Sequence, residues 1–382
     1  MGTIVSRMGV VCSPIPLPKV GRHLMPIIVD AHQDIAYNRL TFGRDYLRSP
    51  LELRRLEADT STARNAGLAT IGLPDALLGR VAVVFATLFV LPQERQTESW
   101  DVLVYKDAGE AYQLALQQMD YYQRLADESD RLRLIRTKTD LDEVLSSWAE
   151  GTDLSQHKQG LVVLMEGADP ILEPKQFEEW YERGVRGVGL AWGKTRYAGG
   201  TGAPDRLSPL GRELLEVLAG FNVVLDLSHL AEEAYFEALD LYEGQSIIAS
   251  HSNPRRFCDT DRHLSDKMIR LLAERDGVMG IVLYNGFLKR DWLKADGKRD
   301  VPLSIVIDAV DYICQLTGSA AHVGLGSDFD GGFSAESIPQ GLDTVGDLLA
   351  IGIAMQARGY SPEDIDAILG GNMLRKLRQG LP

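Results

Sequence analysis

From residue 27 onward, short runs of apolar and β-branched residues alternate with longer segments in which apolar residues recur at helical spacing. This alternation is typical of parallel strands joined by helical crossovers. It predicts eight strands, at residues 27–34, 81–90, 161–166, 185–192, 223–229, 246–251, 278–284 and 323–328. Most of the intervening segments contain a predicted helix, including those at 108–126, 176–183, 209–219, 232–241, 266–275 and 305–317.

The number of these strand–helix units indicates the fold class. Eight units without a break in composition favour a closed (β/α)8 barrel over an open doubly wound sheet, which usually has fewer strands and a glycine-rich phosphate loop after its first strand. Neither GxGxxG nor GxxxxGK[ST] follows strand 1. We therefore predict an α/β protein with one (β/α)8 TIM-barrel domain over 27–382, insertions after strands 1 and 2 (35–80 and 91–107), and an N-terminal extension over 1–26.

Composition and charge exclude several classes of partner. The chain is 45% apolar and 25% charged, close to globular averages, so it can bury a substantial core. Its formal net charge of -14 opposes nucleic-acid phosphates, and no basic stretch offsets that repulsion. The longest apolar run, 81–91, is shorter than the roughly 20 residues that a membrane-spanning helix needs. We predict neither a nucleic-acid partner nor a membrane span.

The three cysteines suggest where the protein resides. Cys12, Cys258 and Cys314 are far apart and form no CxxC pair, a pattern that favours reduced thiols over a disulfide framework. Val-Val-Cys12 imitates a lipoprotein cleavage site, but no apolar segment of the proper length precedes it. The expected location is therefore cytoplasmic.

Side chains that bind metal ions stand at the C-terminal ends of five predicted strands. Enzymes on this barrel place their chemistry there, because the loops that follow the strands converge over the barrel mouth. Side chains alternate with a period of two along a strand, which turns these residues inward. They are His32 and Asp34 on strand 1, Glu166 on strand 3, His229 on strand 5, His251 on strand 6 and Asp328 on strand 8.

Imidazole and carboxylate ligands without thiolates suit zinc in a hydrolytic site. Five ligands exceed the needs of one catalytic ion, and a glutamate can bridge two ions about 3.5 to 4 Å apart. We predict two Zn²⁺ ions per chain, bridged by Glu166. Each motif is weak alone, because HxD is common by chance and a lone histidine that closes a strand is usually a hydrogen-bonded core residue. The prediction of a metal site rests instead on their combination, because three of only seven histidines fall at the same end of separate strands.

Further motifs extend this pattern over nearly the whole chain after residue 26. They are VDAHQD at 29–34, MEG at 165–167, DLSH at 226–229, ASHS at 249–252, Arg262, HVGLGSDFDG at 322–331 and GGNMLR at 370–375. In these motifs the chain resembles the membrane (renal) dipeptidase family of metallopeptidases, within the amidohydrolase superfamily. The resemblance also implies a homodimer.

The resemblance implies roles for particular residues. His32, Asp34 and Glu166 would hold one zinc ion, and Glu166, His229 and His251 the other. Arg262 would receive the substrate's terminal carboxylate, and Asp328 would handle protons.

Two further positions are expected to contact substrate. Trp192, at the end of strand 4, stands where the renal enzyme has a substrate-polarising histidine, and an indole donates one hydrogen bond but does not titrate. Tyr284 ends strand 7, and Phe287 follows where some relatives carry another tyrosine.

The expected function is zinc-dependent hydrolysis of dipeptides, with L,D-dipeptides among the candidates, by a hydroxide that bridges the two ions. One alternative is another binuclear amidohydrolase that cleaves a lactone, phosphoester or cyclic amide. A carboxylate-binding Arg262 favours a dipeptide over such substrates. A second alternative is a catalytically silent metal-binding barrel, against which the presence of Asp328 argues.

Overall fold

The centre of the computed structural model, which describes residues 26–382, is a ring of eight parallel strands. Each strand pairs with the next along the chain, and the eighth pairs with the first. The predicted (β/α)8 barrel is confirmed. The strands are β1 (Ile28–Gln33), β2 (Val81–Phe89), β3 (Gln159–Glu166), β4 (Val185–Gly189), β5 (Val224–Asp226), β6 (Ile247–Ala249), β7 (Val278–Ile281) and β8 (Val323–Leu325).

Helices surround this ring, and the six predicted in detail are present with ends within two residues of those expected. The predicted extension, 1–26, lies outside the described residues except for Pro26. The α-helices are Ile35–Phe42, Pro50–Glu57, Ser61–Ala66, Leu73–Leu78, Ala108–Glu128, Lys138–Ser146, Phe177–Arg183, Pro209–Gly220, Glu232–Leu241, Asp266–Glu274, Asn285–Leu288, Ser304–Thr317, Leu349–Arg358, Pro362–Asp366 and Asn372–Gly380. Short strands outside the ring are Leu91–Pro92, Val104–Tyr105, Leu132–Leu134, Ala198–Gly200 and Ala203–Leu207.

Strands β4 to β8 end two or three residues earlier than predicted. The predicted ends at 192, 229, 251, 284 and 328 were therefore wrong, because the chain leaves the sheet and turns before it reaches them. His229 and Asp328 have left-handed backbones, with φ of 66° and 59°. Strand alternation consequently does not set the directions of these two side chains, and the turns that follow the strands do.

The two predicted insertions lie over the C-terminal ends of the strands. The first, 35–80, holds four short helices and is fastened to the loop after β8 by Asp330. The Asp330 carboxylate accepts hydrogen bonds from the Thr70 backbone N–H (2.9 Å) and hydroxyl (2.7 Å), and it lies 3.4 Å from the Arg44 guanidinium. A hairpin formed by Ala198–Gly200 and Ala203–Leu207 extends the loop after β4.

The opposite end of the barrel is closed by the C-terminal helix Asn372–Gly380. Its Lys376 is fully buried and donates to the Gln245 carbonyl oxygen at 2.9 Å. At the same end His322, which directly precedes β8, bonds through Nδ1 to the Gly277 carbonyl oxygen at 2.9 Å. No helix within 26–382 combines the length and the apolar character needed to cross a bilayer.

Candidate metal centre and substrate cavity

Glu166, the last residue of β3, lies at the centre of the ligand group. Its Oε2 is 3.5 Å from His32 Nε2, whereas its Oε1 is 3.2 Å from His229 Nε2 and 3.3 Å from His251 Nε2. The two carboxylate oxygens thus face different histidines. Glu166 is therefore shared between the histidine of β1 and the histidines that follow β5 and β6.

Two sets of ligand atoms overlap at Glu166. In His32, Asp34 and Glu166, one ligand atom from each residue lies within 4.8 Å of the others. The same holds for Glu166, His229 and His251. These are the two sets that the sequence resemblance implied. A third set joins His32 and His251 to Asp328, whose Oδ1 is 3.8 Å from His32 Nε2.

Hydroxyl groups orient the two histidines that follow β5 and β6. Thr201 Oγ1 lies 3.0 Å from His229 Nδ1, and Ser250 Oγ lies 2.8 Å from His251 Nδ1. Ser250 in turn donates to Asp226 at 2.5 Å. With Nδ1 engaged, each ring directs Nε2 towards Glu166, as a metal-ligating histidine requires. The Nε2 atoms of His229 and His251 are only 3.0 Å apart.

A similar support lies beneath the ligands of β1. The Asp30 carboxylate accepts hydrogen bonds from the Ser327 backbone N–H (2.7 Å) and hydroxyl (2.5 Å), which ties β1 to the chain that leads to Asp328. The Thr87 hydroxyl of β2 donates to Asp34. Asp30 therefore supports the metal ligands from a position deeper in β1.

Sequence reasoning missed Thr201 and the hydrogen bonds that link Ser250 to Asp226. The signal for Ser250 was its place beside His251 in ASHS. Thr201 belongs to the hairpin after β4, 28 positions before His229, and nothing in the chain's periodicity connects the two.

Burial and mutual charge shift the pKa values of these groups. Burial opposes ionisation of Glu166, but the three facing histidines outweigh it and hold the pKa of this carboxyl well below its usual range. Burial raises the pKa of Asp34 to about 6 and lowers that of His229 to about 4. Burial likewise raises the pKa of Asp328.

The donor set fits divalent metal ions. Imidazole nitrogens and carboxylate oxygens are buried together and converge on one another, an arrangement that a bound cation would stabilise. The absence of thiolates from these three sets suits a hydrolytic zinc site.

A cavity of about 530 Å³ opens over the ligands, within the size range of small-molecule sites. Arg262 lines it while donating to the His251 carbonyl oxygen (2.7 Å) and Ser252 Oγ (3.1 Å). Trp192 also lines the cavity, with its ring 5.9 Å from that of His229. Tyr284 does not belong to the cavity wall. Its ring lies behind Phe287, at 4.9 Å, and Phe287 forms the wall there.

Asp328 lines the same cavity, and its neighbour Asp330 does not. Both have left-handed backbones, which aspartate tolerates better than most residues. Asp330 is held by Thr70 and Arg44, as described above, whereas Asp328 faces the cavity.

These features define a class of protein: a metal-dependent hydrolase with its site at the C-terminal ends of the strands of a (β/α)8 barrel. Comparisons with known proteins identify the family. The model of the family described as membrane dipeptidase (peptidase family M19) matches residues 23–380. The chain belongs to this family of metallo-dipeptidases, which confirms the resemblance and the expected enzyme class.

Individual curated proteins also match the chain in sequence. The chain is 30% identical over 273 residues to the "Uncharacterized protein in pqqA 5'region" of Klebsiella pneumoniae, which covers 67% of this chain and 92% of that one. It is 28% identical over 316 residues to dipeptidase tcpJ of Claviceps purpurea, with 81% and 69% covered. Some other curated relatives are longer, and the chain spans about half of their length.

A solved structure shares the fold. The metallo peptidase from Rhodobacter sphaeroides, liganded with a phosphinate mimic of the dipeptide L-Ala-D-Ala, superimposes with a TM-score of 0.73. The sequence identity is 24%, and the match covers 93% of this chain and 99% of that chain.

Proposed function

We propose that this chain hydrolyses dipeptides with a free C-terminal carboxylate, using two zinc ions bridged by Glu166. The observation that carries this proposal is Arg262, a buried guanidinium that lines the cavity beside the metal ligands. A planar pair of N–H donors matches a carboxylate. A lactone or a neutral cyclic amide has no group that requires it, and the substrate panel below separates a phosphoester from a dipeptide.

The chain's own residues account for binding and proton transfer. When bound, the ions would supply a Lewis acid for the scissile carbonyl and would lower the pKa of a water molecule towards neutrality. Arg262 fixes the terminal carboxylate, which places the peptide bond over Glu166. A carboxylate oxygen of Asp328 accepts the water's proton and delivers it to the departing amine nitrogen. The aromatic side of the cavity, at Trp192 and Phe89, excludes water from the reacting atoms.

Metal analysis and a substrate panel test the proposal. Protein loaded with zinc and then dialysed should retain about two equivalents per chain, because five ligands with a bridging carboxylate suit two ions. It should cleave L,L- and L,D-dipeptides, with L-Ala-D-Ala a first candidate because of the ligand in the Rhodobacter structure. The same peptides with amidated C-termini should be poor substrates. Cleavage of lactones or phosphoesters in preference to every dipeptide would assign another substrate class.

We also propose that the enzyme is a cytoplasmic homodimer. Cys258 and Cys314 are free thiols, in keeping with a reducing compartment. The dimer rests on the family resemblance alone. Sedimentation equilibrium of the zinc-loaded protein tests the oligomeric state, and fractionation of the source cells tests the location.

A further inference from the structure

Aromatic side chains form one side of the cavity. The rings of Trp192 and Phe89 lie 5.3 Å apart, and those of Phe89 and Tyr37 lie 5.6 Å apart. Trp100, from the insertion after β2, also lines the cavity. We call these four residues the aromatic wall. It runs from the metal centre, where Trp192 neighbours His229, outward into the insertion.

The aromatic wall lies across the barrel mouth from the carboxylate-binding residue. Arg262 belongs to the loop after β6, whereas Phe89 ends β2. In a ring of eight strands, β2 and β6 are four strands apart and hence on opposite sides. A dipeptide whose carboxylate binds Arg262 and whose peptide bond lies over Glu166 therefore directs its N-terminal residue towards the aromatic wall.

Asp101 stands at the outer end of this wall. It lines the cavity, is partly buried, and accepts a hydrogen bond from the Tyr37 hydroxyl. No ion pair within residues 26–382 includes Asp101, and the charge that influences it is that of Glu98, which is also acidic. Arg95, which lines the cavity from the same insertion, bonds instead to the Thr201 carbonyl oxygen at 3.0 Å.

A carboxylate that faces a cavity and has no cationic neighbour is available to bind a cationic group of a ligand. The substrate's α-ammonium does not suit this position, because it lies one carbon from the cleaved carbonyl and thus beside the metal ligands. No hydrogen bond or ion pair within residues 26–382 joins Asp101 to any of those ligands, and its hydroxyl partner is Tyr37 of the aromatic wall. A cation on a long side chain would reach it.

We propose that the aromatic wall and Asp101 form a subsite for a cationic side chain, so that preferred dipeptides begin with lysine or arginine. This inference rests on the proposed dipeptidase function and names its substrate class. The aliphatic stem of the side chain lies along Phe89 and Tyr37. Its charged group binds Asp101 and the faces of the outer rings, since cations are attracted to aromatic faces.

Matched dipeptides test this subsite. Lysyl-alanine and norleucyl-alanine have similar shape and differ in the terminal cation. The parent enzyme should show a kcat/KM for the lysyl peptide about tenfold to a hundredfold higher, the range for a charge-assisted hydrogen bond. Asp101→Asn should remove most of this preference and leave the norleucyl value within about twofold, because the amide keeps the shape but not the charge.

Two further variants separate the subsite from general charge effects. Glu98→Gln removes one exposed negative charge that acts on Asp101 only at a distance, and it should retain most of the lysyl preference. Asp101→Lys should shift the preference towards glutamyl-alanine. Equal kcat/KM for lysyl and norleucyl peptides in the parent, or an equal loss of preference in Glu98→Gln, would overturn the inference.

A binding measurement distinguishes failure of the subsite from failure of the proposed function. Phosphinate dipeptide analogues with lysyl or norleucyl side chains are titrated calorimetrically into zinc-loaded enzyme. If the parent binds the lysyl analogue more tightly and Asp101→Asn abolishes this difference, the subsite is supported. This holds even if no dipeptide is cleaved and the dipeptidase proposal is wrong. Equal binding of both analogues alongside normal cleavage overturns the subsite alone. Binding of neither analogue, with no cleavage, overturns both.

Discussion

Two buried cations stand at opposite ends of the barrel and have different surroundings. Lys376, under the N-terminal ends of the strands, is neutralised by the protein: besides its bond to Gln245, its Nζ lies 3.3 Å from Asp276 Oδ2. Arg262, at the other end and 6% exposed, has no ion-pair partner among residues 26–382 and lines the cavity. A buried cation that the fold neutralises serves stability, whereas a buried cation that lacks a counter-ion and also lines the cavity is placed to bind an anionic group of a ligand.

The same contrast holds for acidic groups. Asp276 is matched by Lys376 and Arg375, whereas Glu166, Asp34 and Asp328 converge on one another and on three histidines. Convergence of this kind costs stability unless ions are present, and it is tolerated at functional sites. The comparison therefore predicts that changes at the cavity end alter catalysis and that changes at the closed end alter stability.

The largest effect is expected for Asp328→Asn. The amide keeps the shape of the carboxylate but cannot accept a proton, so kcat should fall by about 10² to 10⁴. Zinc content and the urea midpoint should stay close to those of the parent. Steady-state kinetics of the zinc-loaded variant, with metal analysis of the same sample, measure this. Near-normal turnover would move proton transfer to another group.

Arg262→Ala should raise KM for a free dipeptide by about tenfold to more than a hundredfold, the range for a charge-assisted contact. Amidation of the substrate's C-terminus should cause a similar loss in the parent and little further loss in the variant, because both changes delete one interaction. Losses that multiply when the two changes are combined would show that Arg262 does not bind the carboxylate.

Lys376→Met is the matched change at the closed end. The methionine keeps the apolar stem but leaves the buried Gln245 carbonyl without its donor, so the free energy of unfolding should fall by about 1 to 3 kcal/mol. Urea titration measures this change. Values of kcat and KM should be unaltered. A raised KM with unchanged stability would contradict the assignment of catalysis to the cavity end and of stability to the closed end.

The smallest effect concerns the pH dependence of stability. Burial favours protonation of Asp276, but Lys376 and Arg375 outweigh it and hold its pKa below the usual value. Its contribution is therefore present above about pH 4, the unfolded pKa, and is lost as pH falls through the lower folded pKa. Urea midpoints below pH 4 should fall less steeply in Lys376→Met than in the parent. An identical dependence of the urea midpoint on pH in the two proteins would contradict the ion pair between Asp276 and Lys376.

The hydrophobic pattern predicted the barrel and its six detailed helices because each strand is buried on both faces and each helix on one, and both periodicities are local properties. It misjudged where β4 to β8 end. After β4 and β7 an apolar run continues beyond the end of the strand and has the same composition as the strand itself. Only the positions of neighbouring strands show that the chain has begun to turn.

The sequence by itself determined which side chains stand at the carboxyl ends of the strands, and hence the ligand types and the position of Arg262 after β6. Tertiary structure decided how they are oriented. The left-handed turns at His229 and Asp328, the hydroxyl of Thr201 against His229, and the withdrawal of Tyr284 behind Phe287 all depend on residues from separate loops. Contacts between distant segments leave no periodic trace along the chain, so only the closed barrel reveals them.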